Sequence, residues 1–261
     1  MKKLQTLIAF LVFSSVLVSC KKDDKEDTPT CRVSKVVYYD ELGNIDFSAN
    51  YKYENNRLSR VEIPGEYSYT LEYTGERITK RRFFDQGSTT ANYMDNISYN
   101  TDGTISKIEM FEITGNNQSK YLNIDFAYTS GKLNKVTYSQ PNSSNTFITV
   151  QEHTYTYTGN NITSQVSKVI GNTTQTINLT ITHDTNPNHL TKINKQFLLT
   201  DAYFEIPDAR LFSLLFSSNN VKEIKSIAGN IPVEYNLDAK GNLSSYLLGG
   251  QKLAEFTYEC Q

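Results

Sequence analysis

Three histidines, three cysteines and 28 carboxylates are the groups with which this 261-residue chain could do chemistry, and their spacing excludes more than it offers. Glu152-His153 lacks the second histidine of a zinc-binding helix and lies in a segment that alternates like a strand. Asp184, Asn186 and Asn188 open like a calcium loop, but such a loop needs Gly where His189 stands and Glu where Lys195 stands, so an Asx turn before Pro187 is expected instead. There is no Gly-x-Ser-x-Gly elbow, and Gly131-Lys132 runs into Leu133 without forming a phosphate loop. Glycoside hydrolysis needs two carboxylates roughly 5 to 10 Å apart in a cleft, and the scattered acids here name no pair. The sequence therefore gives no catalytic residue, metal ligand, cofactor or ligand-binding residue. The 18 tyrosines could stack on sugars, although Trp is absent and most tyrosines recur at a position that reads as core.

Cysteine chemistry is more specific. Lys2 and Lys3 precede an apolar run from Leu4 to Val18, which is signal-peptide length and short for a bilayer span. The run ends in Leu17-Val18-Ser19-Cys20. This resembles the lipobox of bacterial lipoproteins, which implies cleavage after Ser19 and acylation of Cys20. Two or more acyl chains would hold the protein on a membrane, since each buried methylene contributes roughly 0.8 kcal/mol. Residues 21 to 30 carry Lys21, Lys22, Asp23, Asp24, Lys25, Glu26 and Asp27 without a large apolar side chain, which predicts a flexible tether. Lys21-Lys22-Asp23-Asp24 is similar to the signal that sends Bacteroidota lipoproteins to the cell surface, implying an outer-membrane location with a periplasm-facing domain as the alternative.

Loss of residues 1 to 19 removes Lys2 and Lys3 and makes the formal charge of −2 more negative by two, which argues against a nucleic-acid partner. With Cys20 assigned to lipid, Cys31 and Cys260 remain at either end of residues 31 to 261. In an oxidising compartment an even pair favours a disulfide over two separate thiols.

Between those cysteines the chain repeats. Tyr51-Lys52-Tyr53 leads to Leu58, Leu71-Glu72-Tyr73 to Ile78, and Ile97-Ser98-Tyr99 to Ile105. Phe126-Ala127-Tyr128 leads to Leu133, Tyr155-Thr156-Tyr157 to Ile162, and Val233-Glu234-Tyr235 to Leu243, with Phe256-Thr257-Tyr258 as a final half-unit. Anchors fall about 20 to 30 residues apart, the length of two strands and their turns, so each unit reads as a β-hairpin. Alternation agrees: Ile124, Phe126 and Tyr128 share one face, and Asn123, Asp125 and Ala127 the other.

The pattern written most plainly in Tyr128-Thr129-Ser130-Gly131-Lys132-Leu133-Asn134-Lys135-Val136 resembles the YD repeats of the Rhs family, over most of residues 32 to 259. The aspartate itself is mostly replaced, by Asn100, Thr129 and Thr158, whereas Tyr39-Asp40 keeps the pair. The closer similarity is to Bacteroidota lipoproteins of unknown function with degenerate repeats behind a lipobox, which implies a fold and a location.

Eight or nine hairpins give roughly sixteen strands, more than an open twisted sheet holds without curling or closing. The expected architecture is one all-β domain over residues 31 to 261, a rolled antiparallel sheet or closed shell, with a β-sandwich second. Pro207, Asp208 and the spacing of Leu211, Leu214 and Leu215 predict one short helix over 207 to 216. The expected function is a non-enzymatic, lipid-anchored envelope module that binds a glycan or a surface protein. A hydrolase or a structural envelope protein is the alternative.

Overall fold

The computed structural model describes residues 31–171, 173–192 and 210–260. The first eight strands are β1 (Cys31–Tyr39), β2 (Ile45–Glu54), β3 (Arg57–Ile63), β4 (Tyr67–Thr74), β5 (Arg77–Asp85), β6 (Tyr93–Tyr99), β7 (Ile105–Thr114) and β8 (Asn117–Thr129). The second eight are β9 (Lys132–Pro141), β10 (Phe147–Thr158), β11 (Asn161–Val169), β12 (Gln175–Pro187), β13 (Asn219–Ser226), β14 (Gly229–Leu237), β15 (Leu243–Leu248) and β16 (Gln251–Cys260). Each strand pairs antiparallel with the next, and β16 pairs with β1, so the sheet closes into a barrel. Of the expected architectures, the closed shell is the one observed, and the sandwich is not. A 3-10 turn (His189–Lys192) and a helix α1 (Arg210–Phe216) follow β12. The helix lies inside the expected span, and residues 207 to 209 fall outside the described ones.

The wall is built from one repeated hairpin whose return strand carries an extra residue. Lys52 opposes Arg60 and Tyr53 opposes Leu58, which leaves Ser59 as a bulge. The same slip occurs at Thr79, Ser106, Asn134, Thr163 and Ser244. A short polar side chain suits this position because it can answer the carbonyl that the bulge leaves across the strand. Ser59 Oγ donates to Lys52 O (3.2 Å), and Ser244 Oγ to Asn236 O (3.1 Å). The slip also sets the burial rhythm. Leu58, Val61 and Ile63 turn inward at intervals of three and then two, as do Leu133, Val136 and Tyr138.

Inward side chains form one continuous cluster in which Leu58, Ile78, Ile108, Ile124, Leu133, Ile162 and Ile224 are fully buried. Sixteen strands can enclose a water-filled channel, but here apolar side chains fill the lumen. The outward face is charged: Lys52 pairs with Glu62 (3.8 Å), Lys120 with Glu109 (3.0 Å), Lys107 with Asp125 (3.9 Å), and Lys135 with Glu152. The barrel is thus apolar within and polar without.

The seam obeys the same rules. Val33 opposes Tyr258 and Lys35 opposes Thr257, so Ser34 is the bulge, and its Oγ donates to Thr257 O (3.2 Å). The first and last half-units therefore make one complete unit, closed by the Cys31–Cys260 disulfide with Cα atoms 4.0 Å apart. One assignment of the repeat shifts. Leu237, not Tyr235, opposes Leu243 at the rim, and Tyr235 lies one step deeper, opposite Tyr246.

Candidate functional site

The repeated tyrosines ring one end of the barrel, each at the last inward position before a turn. Their hydroxyls reach sideways to the neighbouring hairpin. Tyr53 donates to Val33 O (2.8 Å), Tyr73 to Leu58 O (2.8 Å), Tyr99 to Ile78 O (2.7 Å) and Tyr258 to Leu243 O (2.9 Å). Each bond latches a hairpin to the one before it. Burial pushes the phenols of Tyr53 and Tyr73 up to about 12, so they stay protonated and keep donating.

A cation from the preceding hairpin, at the residue just before the aliphatic anchor, caps four of these rings, whereas Asn242 holds that place beside Tyr258. Arg32 lies over Tyr53 (4.4 Å), Arg57 over Tyr73 (5.5 Å), Arg77 over Tyr99 (5.3 Å) and Lys132 over Tyr157 (5.5 Å). At Tyr128 the series breaks, because Thr104 stands where the cation would be. Among the described residues neither the Tyr128 nor the Tyr157 hydroxyl makes the latching bond.

A cavity of about 830 Å³ opens at this break. Tyr99, Tyr128 and Tyr157 line it, and Ile78, Ile105 and Leu133 give it an apolar floor. Burial raises Tyr128 and Tyr157 to about 12, so both face the cavity as neutral phenols. The segment between β12 and β13 supplies the remaining wall through Thr191, Leu215, Phe216 and Ser217. Asn188 Nδ2 holds that segment down, donating to Leu214 O (2.6 Å) and Ser217 O (2.8 Å). Ile162 N donates to Ser217 Oγ (3.1 Å), which also meets His183 Nε2 at 3.0 Å. His183, whose pKa burial lowers, takes the rim position that tyrosine holds in other units.

Two polar groups sit where the repeat elsewhere buries aliphatics. Arg81 and Asp95 oppose each other across β5 and β6 as an ion pair at 2.8 Å, with side chains 0% and 1% exposed. Burial raises the Asp95 carboxyl to about 6 even though the Arg81 charge lowers it. His153 Nδ1 lies 2.8 Å from Ser167 Oγ, which also accepts from Gln165 Nε2 (3.1 Å). A serine hydrogen-bonded to histidine has the form of a nucleophile and its base. Here Ser167 is 2% exposed, and burial holds His153 down at about 4. The Gln151 Nε2 amide donor stands 3.1 Å from His153 Nε2, so Nε2 accepts and the ring proton sits on Nδ1, which donates to Ser167 Oγ. The arrangement is a buried polar relay without access for a substrate.

Sequence reasoning missed both groups, although alignment of the repeats carries the signal. Arg81 and Gln165 occupy the column filled by Val61, Ile108 and Val136. It also missed the cavity, because the tyrosines bordering it match those that latch the wall.

The residues singled out by sequence fall as follows. Cys20 lies outside the described residues, and Cys31 and Cys260 are bonded at the tyrosine rim. Asp184 Oδ1 accepts from Asn186 N (2.8 Å), the expected Asx turn, while Asn188 is spent on α1. Glu152 faces outward to Lys135 while His153 faces inward. Among the described residues no three His, Cys, Asp or Glu side chains cluster as metal ligands.

No family model matches the chain, and no curated protein sequence does. Solved structures do. A porin-like protein from Bacteroides uniformis is similar with a TM-score of 0.52 at 14% identity, over 87% of this chain and 98% of that one. A porin-like protein from Bacteroides vulgatus gives 0.35 at 12% identity, over 88% and 99%. A DUF3836 family protein from Parabacteroides distasonis gives 0.28 at 14% identity, over 33% and 87%. The likeness to the first shows a shared fold.

Proposed function

We propose that this barrel is an envelope protein, held on the outer membrane by acylated Cys20, that binds a saccharide in the tyrosine-lined cavity. One observation carries the reading: the tyrosine series loses its latching bonds at the cavity, leaving the Tyr128 and Tyr157 hydroxyls facing it. An aromatic face beside hydroxyl donors suits a sugar ring, which presents C–H groups on one face and hydroxyls around its edge.

The description of the solved neighbours suggests a pore as the competing function. Two features of this chain weigh against it. The lumen is filled by buried aliphatic side chains. The outer face carries ion pairs such as Lys107 with Asp125 and Lys120 with Glu109, where a lipid-facing Lys or Arg costs about 2–4 kcal/mol near the bilayer midplane. Such a surface suits water and a tether better than lipid.

A glycan array probed with the full protein in detergent tests the proposal. Saccharide binding that Tyr128→Ala abolishes while the melting curve of the barrel is retained is the expected result. No binding to any saccharide class, or binding that Tyr128→Ala leaves intact, overturns it.

A further inference from the structure

We infer that the saccharide taken by the cavity carries an acidic group, held by the Arg77 guanidinium with Lys132 beside it. The inference rests on the saccharide reading above and adds the charge of the ligand. It comes from comparing equivalent cations in the repeat, each the residue before an aliphatic anchor and each over a tyrosine ring. Arg32 pairs with Glu259 (3.5 Å). Arg57 donates to Gly75 O (2.8 Å) and pairs with Glu76. Arg77 makes no hydrogen bond or ion pair among the described residues. Its guanidinium lies against the turn at Gly103, where an added Cβ would stand 3.0 Å from it.

Among the described residues no carboxylate forms an ion pair with Arg77 at this edge of the cavity. Glu76, the carboxylate in its lining, is engaged by Arg57. Asp102 is held ionised by Thr104 N (2.9 Å) and Thr104 Oγ1 (2.7 Å), both donating to its Oδ1, and it feels the Arg77 charge without bonding to it. Lys132 Nζ adds a second positive charge to the lining while donating to Gly159 O. A guanidinium with unused donors beside an aromatic face is arranged for a planar or tetrahedral oxyanion, because its fork can give two parallel N–H···O bonds. Sugar rings would lie on Tyr128 and Tyr157 while the acid group reaches Arg77.

Calorimetric titration of the full protein in detergent with oligogalacturonate, a sulfated oligogalactose and neutral oligogalactose tests this. The expected result is an acidic ligand binding about tenfold or more tightly than the neutral one, an advantage that shrinks with salt and is erased by Arg77→Gln. Tighter binding of the uronate or of the sulfate identifies the acid group. Lys132→Gln should reduce the same advantage in part, and it serves as the probe if Arg77→Gln does not fold. Equal affinity for neutral and acidic ligands overturns the charge assignment and leaves the saccharide reading standing. An acidic preference untouched by both substitutions overturns it as well, and binding of none of the three together with a blank glycan array removes the saccharide reading beneath it.

Discussion

Cys31 and Cys260 occupy, across the β1–β16 seam, the two positions that Asn55 and Asn56 occupy at the tip of the β2–β3 hairpin. Tyr258 opposes Val33 as Tyr53 opposes Leu58, and Glu259 opposes Arg32 as Glu54 opposes Arg57. Asn55 and Asn56 turn the chain with φ of 50° and 61°, a two-residue tip of the kind that holds a hairpin in register. At the seam a disulfide does this work between the ends of β1 and β16, 229 residues apart in sequence.

Breaking that bond should open the barrel at one place. Cys31→Ser, or reduction of the native protein, is expected to lower stability by about 2–5 kcal/mol. Urea unfolding with and without reductant measures it. Reductant should have no further effect on the variant, and equal midpoints for oxidised and reduced native protein would contradict the closure role.

The tyrosine latches provide an internal comparison. Tyr73→Phe removes the bond to Leu58 O and should cost about 1 kcal/mol, whereas Tyr128→Phe removes no such bond and should lie within about 0.5 kcal/mol of the parent. Equal losses in thermal unfolding would mean that the hydroxyl bonds do not distinguish the two sites.

The Arg81–Asp95 pair is buried, so removing one partner should be much worse than removing both. Arg81→Met alone is expected to cost about 3–5 kcal/mol, and Arg81→Met with Asp95→Leu should recover most of it. A double variant no more stable than the single one would mean that the pair has a positive net role.

Acid stability should show two opposing contributions. Asp95, raised to about 6, holds a proton in the folded state that the unfolded chain has released, so its contribution is full below pH about 4 and is lost as pH rises through 6. His153, held at about 4, stays neutral when folded, so its contribution is present above pH about 6.5 and is lost as pH falls towards 4. Unfolding curves at several pH values for Asp95→Asn and His153→Gln should deviate from the parent with opposite slopes. Slopes of the same sign would refute the assignment.

Lipid attachment is checked at Cys20. Cys20→Ser should abolish acyl labelling and move the protein from the membrane to the soluble fraction. For surface display, proteinase added to intact cells should cleave the parent; cleavage only after envelope lysis would leave Lys21 to Asp24 as a spacer.

Much of the wall was legible in the chain itself. Tyr-x-Tyr followed by a turn and an aliphatic residue gave the hairpins and their number, because alternation and turn residues are local properties. The bulge was written there too, in Leu58-Ser59-Arg60-Val61 and Ile78-Thr79-Lys80-Arg81, but its meaning needed the partner strand. Val233-Glu234-Tyr235 was misaligned because a leucine, Leu237, holds the rim position in this unit, and strand register depends on pairing as well as on residue type.

By itself, the sequence determined the repeat, the alternation of side chains on the strand before each turn and the candidate cysteine pair, since a period of two and turn chemistry act over a few residues. Tertiary structure decided that the sheet closes, that Arg81 meets Asp95, and that the latches fail at Tyr128 and Tyr157. Each of those depends on residues brought together across strands. Whether a tyrosine latches the wall or faces a cavity is set by what the neighbouring hairpin presents to its hydroxyl, which no single copy of the repeat contains.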